Sequence, residues 1–395
     1  MGGTEVYVSA LANFLHQEKH DVYFLKSSDK NSYDNKNKVF TISQYDRKEN
    51  RLLVFDKILS ELTPDVVHFH TISKSIGYDF LKISKSKFIK TFYTSHTPDL
   101  TCLRGDLLHS GNSICDGIME KSKCLTCYKN SVPSNNYLIF QSLSNFVRNK
   151  FMMYESESSF ISKFQFLSKN SEYLDKLIVV SNWQKQLLLK NGISESQIEV
   201  VPQGVDLKQI NQYDYIKNDT NDLITIGFCA RIDPLKGLHI LIEAFERINQ
   251  PNLRIHIIGI TNNNNSYYKQ LREKTSKYKN IIWELNLSRD EVFNSMKSFD
   301  ALCIPSQWFE TGPFTMYEAF ALQIPIIASN LGGMSDNIIH NENGLLFDHD
   351  NVDDLAKKIK EFLENETLRE MLKRSHMPKR DINQIGMDML DIYNK

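Results

Sequence analysis

Several features that define large protein classes are scarce in this chain. A basic excess is missing: 47 Lys plus Arg stand against 48 Asp plus Glu, a formal net charge of -1. Proteins that neutralise many nucleic-acid phosphates need a clear positive balance, so no nucleic-acid partner is expected. Long apolar runs are missing too, since nothing approaches the roughly 18 to 20 uninterrupted apolar residues of a membrane-spanning helix. The N-terminus lacks the basic-then-apolar order of a secretory signal. Cysteine is thin, six in 395 residues, which without a signal predicts reduced thiols and no disulfide framework. These absences lead to the expectation of a soluble, cytoplasmic enzyme.

What is present is an ordinary globular composition, 41% hydrophobic, 11% aromatic and 24% charged. At roughly 100 to 200 residues per domain, 395 residues suggest two domains, each able to bury its own core. Short β-branched and aromatic runs alternate with helical periodicity, the pattern of parallel sheets joined by crossover helices. Strands are predicted at Asp21–Leu25, Val39–Ile42, Asp65–His70, Phe88–Thr94, Lys176–Val180 and Ile198–Val201, with helices such as Val6–His16 and Trp183–Lys190 between them. A second series follows: strands Leu223–Cys229, Arg254–Gly259, Asn280–Glu284, Ala301–Pro305 and Pro325–Ser329, with helices Leu238–Ile248, Tyr267–Tyr278, Arg289–Ser298 and Thr315–Leu322. Closing helices are predicted at Val352–Leu363, Leu368–Ser375 and Ile382–Tyr393.

The fold expected is α/β, two doubly wound Rossmann-like domains facing a cleft. The domains are read as 1–205, with a cysteine-containing insertion at 97–130, a polar linker at 206–222, a second domain at 223–380 and a closing helix at 381–395. Ligands of such sheets bind beyond the carboxyl ends of the strands.

The segment Pro305-Ser-Gln-Trp-Phe-Glu310-Thr-Gly-Pro-Phe-Thr-Met-Tyr-Glu318 leaves a strand, turns and enters a helix. A helix N-terminus offers unpaired N–H groups to phosphate, Glu318 could bind a diol, and Glu310 precedes the turn. With Asp300–Ser306, Ile324–Ser329, Gly332-Gly333 and Asn343-Gly344 in order around it, the segment resembles the E-x7-E signature of retaining GT-B glycosyltransferases, the group 1 family. Gly227-Phe-Cys-Ala-Arg231-Ile-Asp-Pro-Leu-Lys236-Gly237 resembles that family's cationic loop, and Thr94-Ser-His96 resembles its strand-end histidine.

The resemblance implies transfer of a sugar from a nucleoside diphosphate sugar to a glycan or lipid-linked acceptor with retention, in surface polysaccharide or glycoconjugate assembly. No cofactor is implied for catalysis. Glu310 and His96 are the implied catalytic residues. Arg231, Lys236, Glu318, Gly312, Phe314 and Thr315 are implied in donor binding, together with Gly2 and Gly3. Arginine clamps phosphate through two bonds and lysine adds a point charge, so Arg231 and Lys236 suit a departing diphosphate. In the family a strand normally precedes the glycine pair Gly2-Gly3, so the N-terminal domain is expected to lack its first strand. The alternatives are a glycosyl phosphorylase or small-glycoside synthase of the same fold, or an inactive sugar-binding subunit.

Cys102, Cys115, Cys124 and Cys127 cluster in the insertion, the last two as C-x2-C. Four thiols suit a tetrahedral structural zinc, with free thiols or a redox-sensitive disulfide as the alternative. Cys229 and Cys303, in strands, read as core residues, as do His68 and His70. Lys82, Lys85, Lys87 and Lys90 form a basic cluster that could make peripheral contact with the inner face of a membrane, although a solvated helix end explains it more simply. The segment Tyr137–Phe166 reads as core or as an acceptor groove.

Overall fold

The computed structural model describes residues 3–131, 145–210, 212, 223–262, 264–374 and 380–395. The chain divides into two compact units, Met1–Pro202 with Gly386–Lys395, and Gln203–Ile385.

In unit 1 the strands are β1 Phe24–Ser28, β2 Ser32–Asp34, β3 Val39–Ser43, β4 Val66–Phe69, β5 Lys90–Ser95, β6 Leu108–His109, β7 Ser113–Ile114, β8 Lys176–Val179 and β9 Ile198–Val200. They form two sheets and a small hairpin. The order β4-β5-β8-β9 is parallel throughout. In the second sheet, β1-β3-β2, β1 runs parallel to β3 and β2 antiparallel; β6 and β7 pair as the hairpin. The first strand begins three residues later than Asp21–Leu25. Lys26-Ser-Ser carries no apolar pattern, yet its backbone ladders with β3 from Phe24↔Val39 to Ser28↔Ser43. The core holds Phe55, Phe80, Tyr93, Phe166, Leu177 and Leu188.

Unit 2 contains β10 Ile224–Arg231, β11 Leu253–Ile260, β12 Ile281–Leu285, β13 Ala301–Ile304, β14 Ile326–Ser329 and β15 Gly344–Phe347. All six are parallel, in the order β12-β11-β10-β13-β14-β15. These strands are nearly continuous apolar runs because helices cover both faces. Alternation along them confirms it: Ala301 and Cys303 pack with Leu241, Leu355 and Phe362, whereas Leu302 and Ile304 pack with Phe293, Met296 and Phe320. Successive strand residues point to opposite faces, so these are two cores on two sides of one sheet.

The strand order reverses between β10 and β13, the first and fourth strands of the unit. This is the topological switch point of a doubly wound sheet, where a crevice opens beyond the strand ends. Within 206–222, Leu207–Ile210 forms a helical turn, while 211 and 213–222 lie outside the described residues. The C-terminal helix Ile382–Asn394 contributes its portion from Gly386 onward to unit 1.

Candidate active site

The site of unit 2 is built at the carboxyl ends of β10 and β13. After β10, Asp233 accepts a hydrogen bond from the Leu235 N–H (2.9 Å), which closes the tight turn Pro234–Lys236. Gly237 then adopts φ 71°, a left-handed conformation, before the helix Leu238–Ile248. A Cβ at Gly237 would lie 1.7 Å from the Pro305 carbonyl oxygen, so only glycine lets this turn press against the end of β13. The Gln307 N–H donates to the Leu235 carbonyl (2.8 Å) and locks the two loops together.

That closeness brings Lys236 to Glu310. The Lys236 ammonium donates to Glu310 Oε1 at 2.5 Å, and the same oxygen accepts from Trp308 Nε1 (2.8 Å) and Ser306 Oγ (2.9 Å). Both partners of the ion pair are largely withdrawn from water, with 16% and 7% of their side chains exposed. The ammonium also lies 5.3 Å from the centre of the Trp308 ring, a cation–π distance. Lys236, Ser306, Glu310, Pro313 and Thr315 line one small cavity with the ends of β10 and β13.

Beyond Glu310 the chain turns at Gly312 and starts the helix Phe314–Ala321, whose N-cap, Pro313, supplies no side-chain bond. Its first amides therefore have no side-chain cap, the condition for anion binding at a helix start. Thr315 faces the cavity; Phe314 packs into the core beneath. Glu318, one turn on and 4% exposed, pairs with Arg289 Nη2 at 2.9 Å. Burial raises the Glu318 pKa and the Arg289 guanidinium opposes that rise. Arg231 ends β10 exposed and is not part of the cavity lining.

His96 belongs to unit 1, where it follows β5 and is 8% exposed. Its Nε2 lies 3.1 Å from His70 Nδ1, and its ring meets the edge of Tyr7 at 4.8 Å. His68, from β4, lies tilted against His70 with ring centres 4.1 Å apart, and bridges Tyr393 Oη (2.5 Å) and Thr94 Oγ1 (2.8 Å). Burial drives the His96 pKa down to about 4 and that of His68 to about 3; His70 is lowered by burial and by its two neighbours. All three rings are therefore neutral near pH 7. His68 and His70 pack as expected, but in direct company with the implied catalytic histidine. Gly3 opens the helix Gly3–Gln17, while Met1 and Gly2 lie outside the described residues.

The four insertion cysteines are free thiols, and Cys102 and Cys127 are buried. Burial raises the pKa of Cys115 and Cys124, and the nearby Cys102 adds to both rises. Among the described residues no three His, Cys, Asp or Glu side chains are already drawn together as a metal-binding group. In the basic cluster, Lys85 pairs with Asp175, Lys87 with Asp56 (2.9 Å), and Lys90 donates to the Tyr393 carbonyl (2.8 Å). Partners within the unit thus account for most of that cluster. Of Tyr137–Phe166, residues 137–144 lie outside the described residues; Phe160 and Phe166 are core, and Phe164 is exposed.

Sequence reasoning missed Arg289, Trp308 and Ser306. Trp308 and Ser306 stand inside the quoted motif, so proximity to Glu310 was the available signal. Arg289 follows Ser288, whose capping box with Glu291 marks a helix start but says nothing about a partner in another helix.

Parallel sheets covered by helices in two units are the architecture of the GT-B glycosyltransferase fold. A family model described as glycosyl transferases group 1 matches residues 212–376, and one described as glycosyltransferase family 4 matches residues 1–132. Glycosyltransferase family domains thus match both parts of the chain and support an enzyme of the nucleotide-sugar-dependent glycosyltransferase class. An uncharacterized glycosyltransferase of Methanocaldococcus jannaschii is 28% identical over 279 residues, 68% of either chain. The capsular polysaccharide biosynthesis glycosyltransferase CapM of Staphylococcus aureus is 28% identical over 155 residues, 38% of this chain and 40% of that one. In structure the chain resembles Anabaena HepE crystallised with UDP and glucose, with TM-score 0.66 and 13% identity over 100% of this chain and 96% of that one.

Proposed function

We propose that this protein transfers a sugar from a nucleoside diphosphate sugar to a glycan or lipid-linked acceptor, with retention of configuration, in surface polysaccharide or glycoconjugate assembly. The observation that carries the reading is the cavity at the β10/β13 switch point, where Lys236 and Glu310 meet beside the uncapped start of helix Phe314–Ala321. Lys236 and the first helical amides would take the diphosphate and offset charge on the leaving group. Arg231, exposed at the end of β10, would clamp the outer phosphate once the nucleotide is bound. Glu318 would accept hydrogen bonds from the ribose diol. Glu310 would hold donor hydroxyls near the developing positive centre, while the departing phosphate oxygen takes the acceptor proton on the same face. His96, neutral at working pH, would donate or accept a single hydrogen bond at the sugar without adding charge. The CapM and HepE relationships agree with a polysaccharide setting and a UDP-linked donor.

A screen of UDP-, GDP- and ADP-sugars by thermal shift and by donor hydrolysis tests the reading. One donor class should raise the melting temperature and release nucleoside diphosphate. Turnover with sugar phosphate and no nucleotide would favour a phosphorylase, and stabilisation with no release under any acceptor would favour a binding subunit.

A further inference from the structure

The cysteine-bearing insertion of unit 1 is covered by no part of the transferase reading. Its four thiols come from three separate places. Cys102 follows the short turn Pro98–Leu100, Cys115 follows β7, and Cys124 and Cys127 stand on the helix Lys121–Ser131. Residues three apart on a helix share a face, so the last two present their sulfurs together. All four line one small cavity with Arg104 and Lys123. We propose that this cavity is a structural zinc site whose ligands are Cys102, Cys115, Cys124 and Cys127.

Three observations besides the ligand count support it. First, backbone amides already point at the sulfurs: Ser110 N–H donates to Cys127 Sγ at 3.0 Å and Gly117 N–H to Cys115 Sγ at 3.5 Å. Such bonds orient the sulfurs, the outer-shell role that metal ligands require. Secondly, four thiolates around a dication carry two surplus negative charges, and two cations line the cavity beside them, Arg104 and Lys123, the latter shared with Asp116 at 2.6 Å. Arg104 is itself fixed by Asp106 at 2.7 Å, so its cation is positioned and not merely nearby. Thirdly, residues 101–120 contain only the two-residue strands β6 and β7, with left-handed backbone at Gly105, Leu107, Ser110, Gly111 and Gly117. A loop so poor in regular structure and yet so tightly wound gains order from a cross-link among its own side chains.

Four soft sulfur donors select zinc over calcium or magnesium and favour a closed tetrahedral site, with no position left for water. The ion is therefore structural. As the thiols stand they wall a chamber; binding would rotate them inward and release their protons to solvent. The inference is independent of the transferase reading, because the cavity is confined to unit 1.

The test uses the full chain purified from zinc-replete medium without metal-affinity tags. Metal analysis should give about one zinc per chain, the stoichiometry of a single closed site. Cys124→Ser with Cys127→Ser should lose at least nine-tenths of it, whereas Cys229→Ser, in β10, should retain it. If the double variant fails to fold, cobalt exchange into the wild-type chain replaces it as the readout. Cobalt should give strong visible ligand-field bands and thiolate-to-metal charge transfer of a tetrahedral sulfur site. Zinc below a tenth of an equivalent, a Cys124–Cys127 disulfide in the freshly purified protein, or metal that survives the double substitution would each overturn the proposal.

Discussion

Glu310 Oε1 receives three donors at once, from an ammonium, an indole and a hydroxyl, so its position is held from three directions and not by one flexible contact. That over-determination allows a clean substitution. In Glu310→Gln the amide keeps the shape but loses the negative charge, so transfer should fall about 10²- to 10³-fold, the loss typical of one preorganised electrostatic group. The Kd for the matching nucleoside diphosphate should not rise, because the loss of the carboxylate charge leaves the Lys236 ammonium to the phosphate. Isothermal titration beside a transfer assay separates the two, and equal losses in both would assign Glu310 to nucleotide binding. Lys236 is different in kind: its carbon stem is enclosed and its charge already neutralised by Glu310. A diphosphate entering the cavity would have to share that ammonium with the carboxylate, which couples donor binding to the placement of Glu310.

At the scale of the element, the turn Pro234–Gly237 decides whether the β10 and β13 loops touch. Gly237→Ala would add both a left-handed alanine and a collision with a main-chain oxygen. Gly192, at φ 86° with nothing within 4 Å of a built Cβ, offers the control in which only the backbone strain is added. Gly192→Ala should cost about 1 kcal/mol and leave nucleotide affinity unchanged. Gly237→Ala should cost about 2 kcal/mol or more, because backbone must move, and should weaken nucleotide binding. Denaturant midpoints and titration of both variants would show it; identical costs would mean the contact with Pro305 is not needed. Here the sequence was most readable. Helix Leu238–Ile248 is found at its predicted bounds, and the strands around the motif differ only at their ends, because β-branched runs buried on both faces leave a strong apolar signal. β15 was less visible, since Gly344-Leu-Leu-Phe is short and begins at a glycine. β2, Ser32–Asp34, is exposed along its length and has no apolar signal at all. The helix Lys121–Ser131 was hidden inside an insertion read only for its cysteines, and the Arg289–Glu318 pair joins distant helices, which no local pattern records.

At the scale of the whole molecule, the clustered histidines of unit 1 tie stability to pH. Folded His96 keeps its proton off until about pH 4 and His68 until about pH 3, while in the unfolded chain both take a proton near the ordinary value of about 6.5. The unfolded state therefore binds more protons below that value, so stability is full above about pH 6.5 and declines as the pH falls. For His96 alone the decline from pH 6.5 to 5 is ~2 kcal/mol at 1.36 kcal/mol per unit. Urea midpoints at pH 7 and pH 5 should show the fall, and His96→Gln should remove only the His96 share of it, because His68 keeps its own lowered pKa; a midpoint independent of pH over that range would show that the rings are hydrated. The division of unit 1 into two sheets has a consequence of another sort. Among the described residues β1 pairs only with β3 and β4 only with β5, whereas β5 lies between β4 and β8. In a parallel ladder alternate amides point to opposite neighbours, so every second N–H of β1 and of β4 faces no strand. In deuterated water those amides should exchange at a rate set by local exposure, while those of β5 wait for the whole unit to open. The outcome would be a two-residue rhythm of fast and slow exchange along Phe24–Ser28 and Val66–Phe69, set beside uniform protection through Phe92–Ser95.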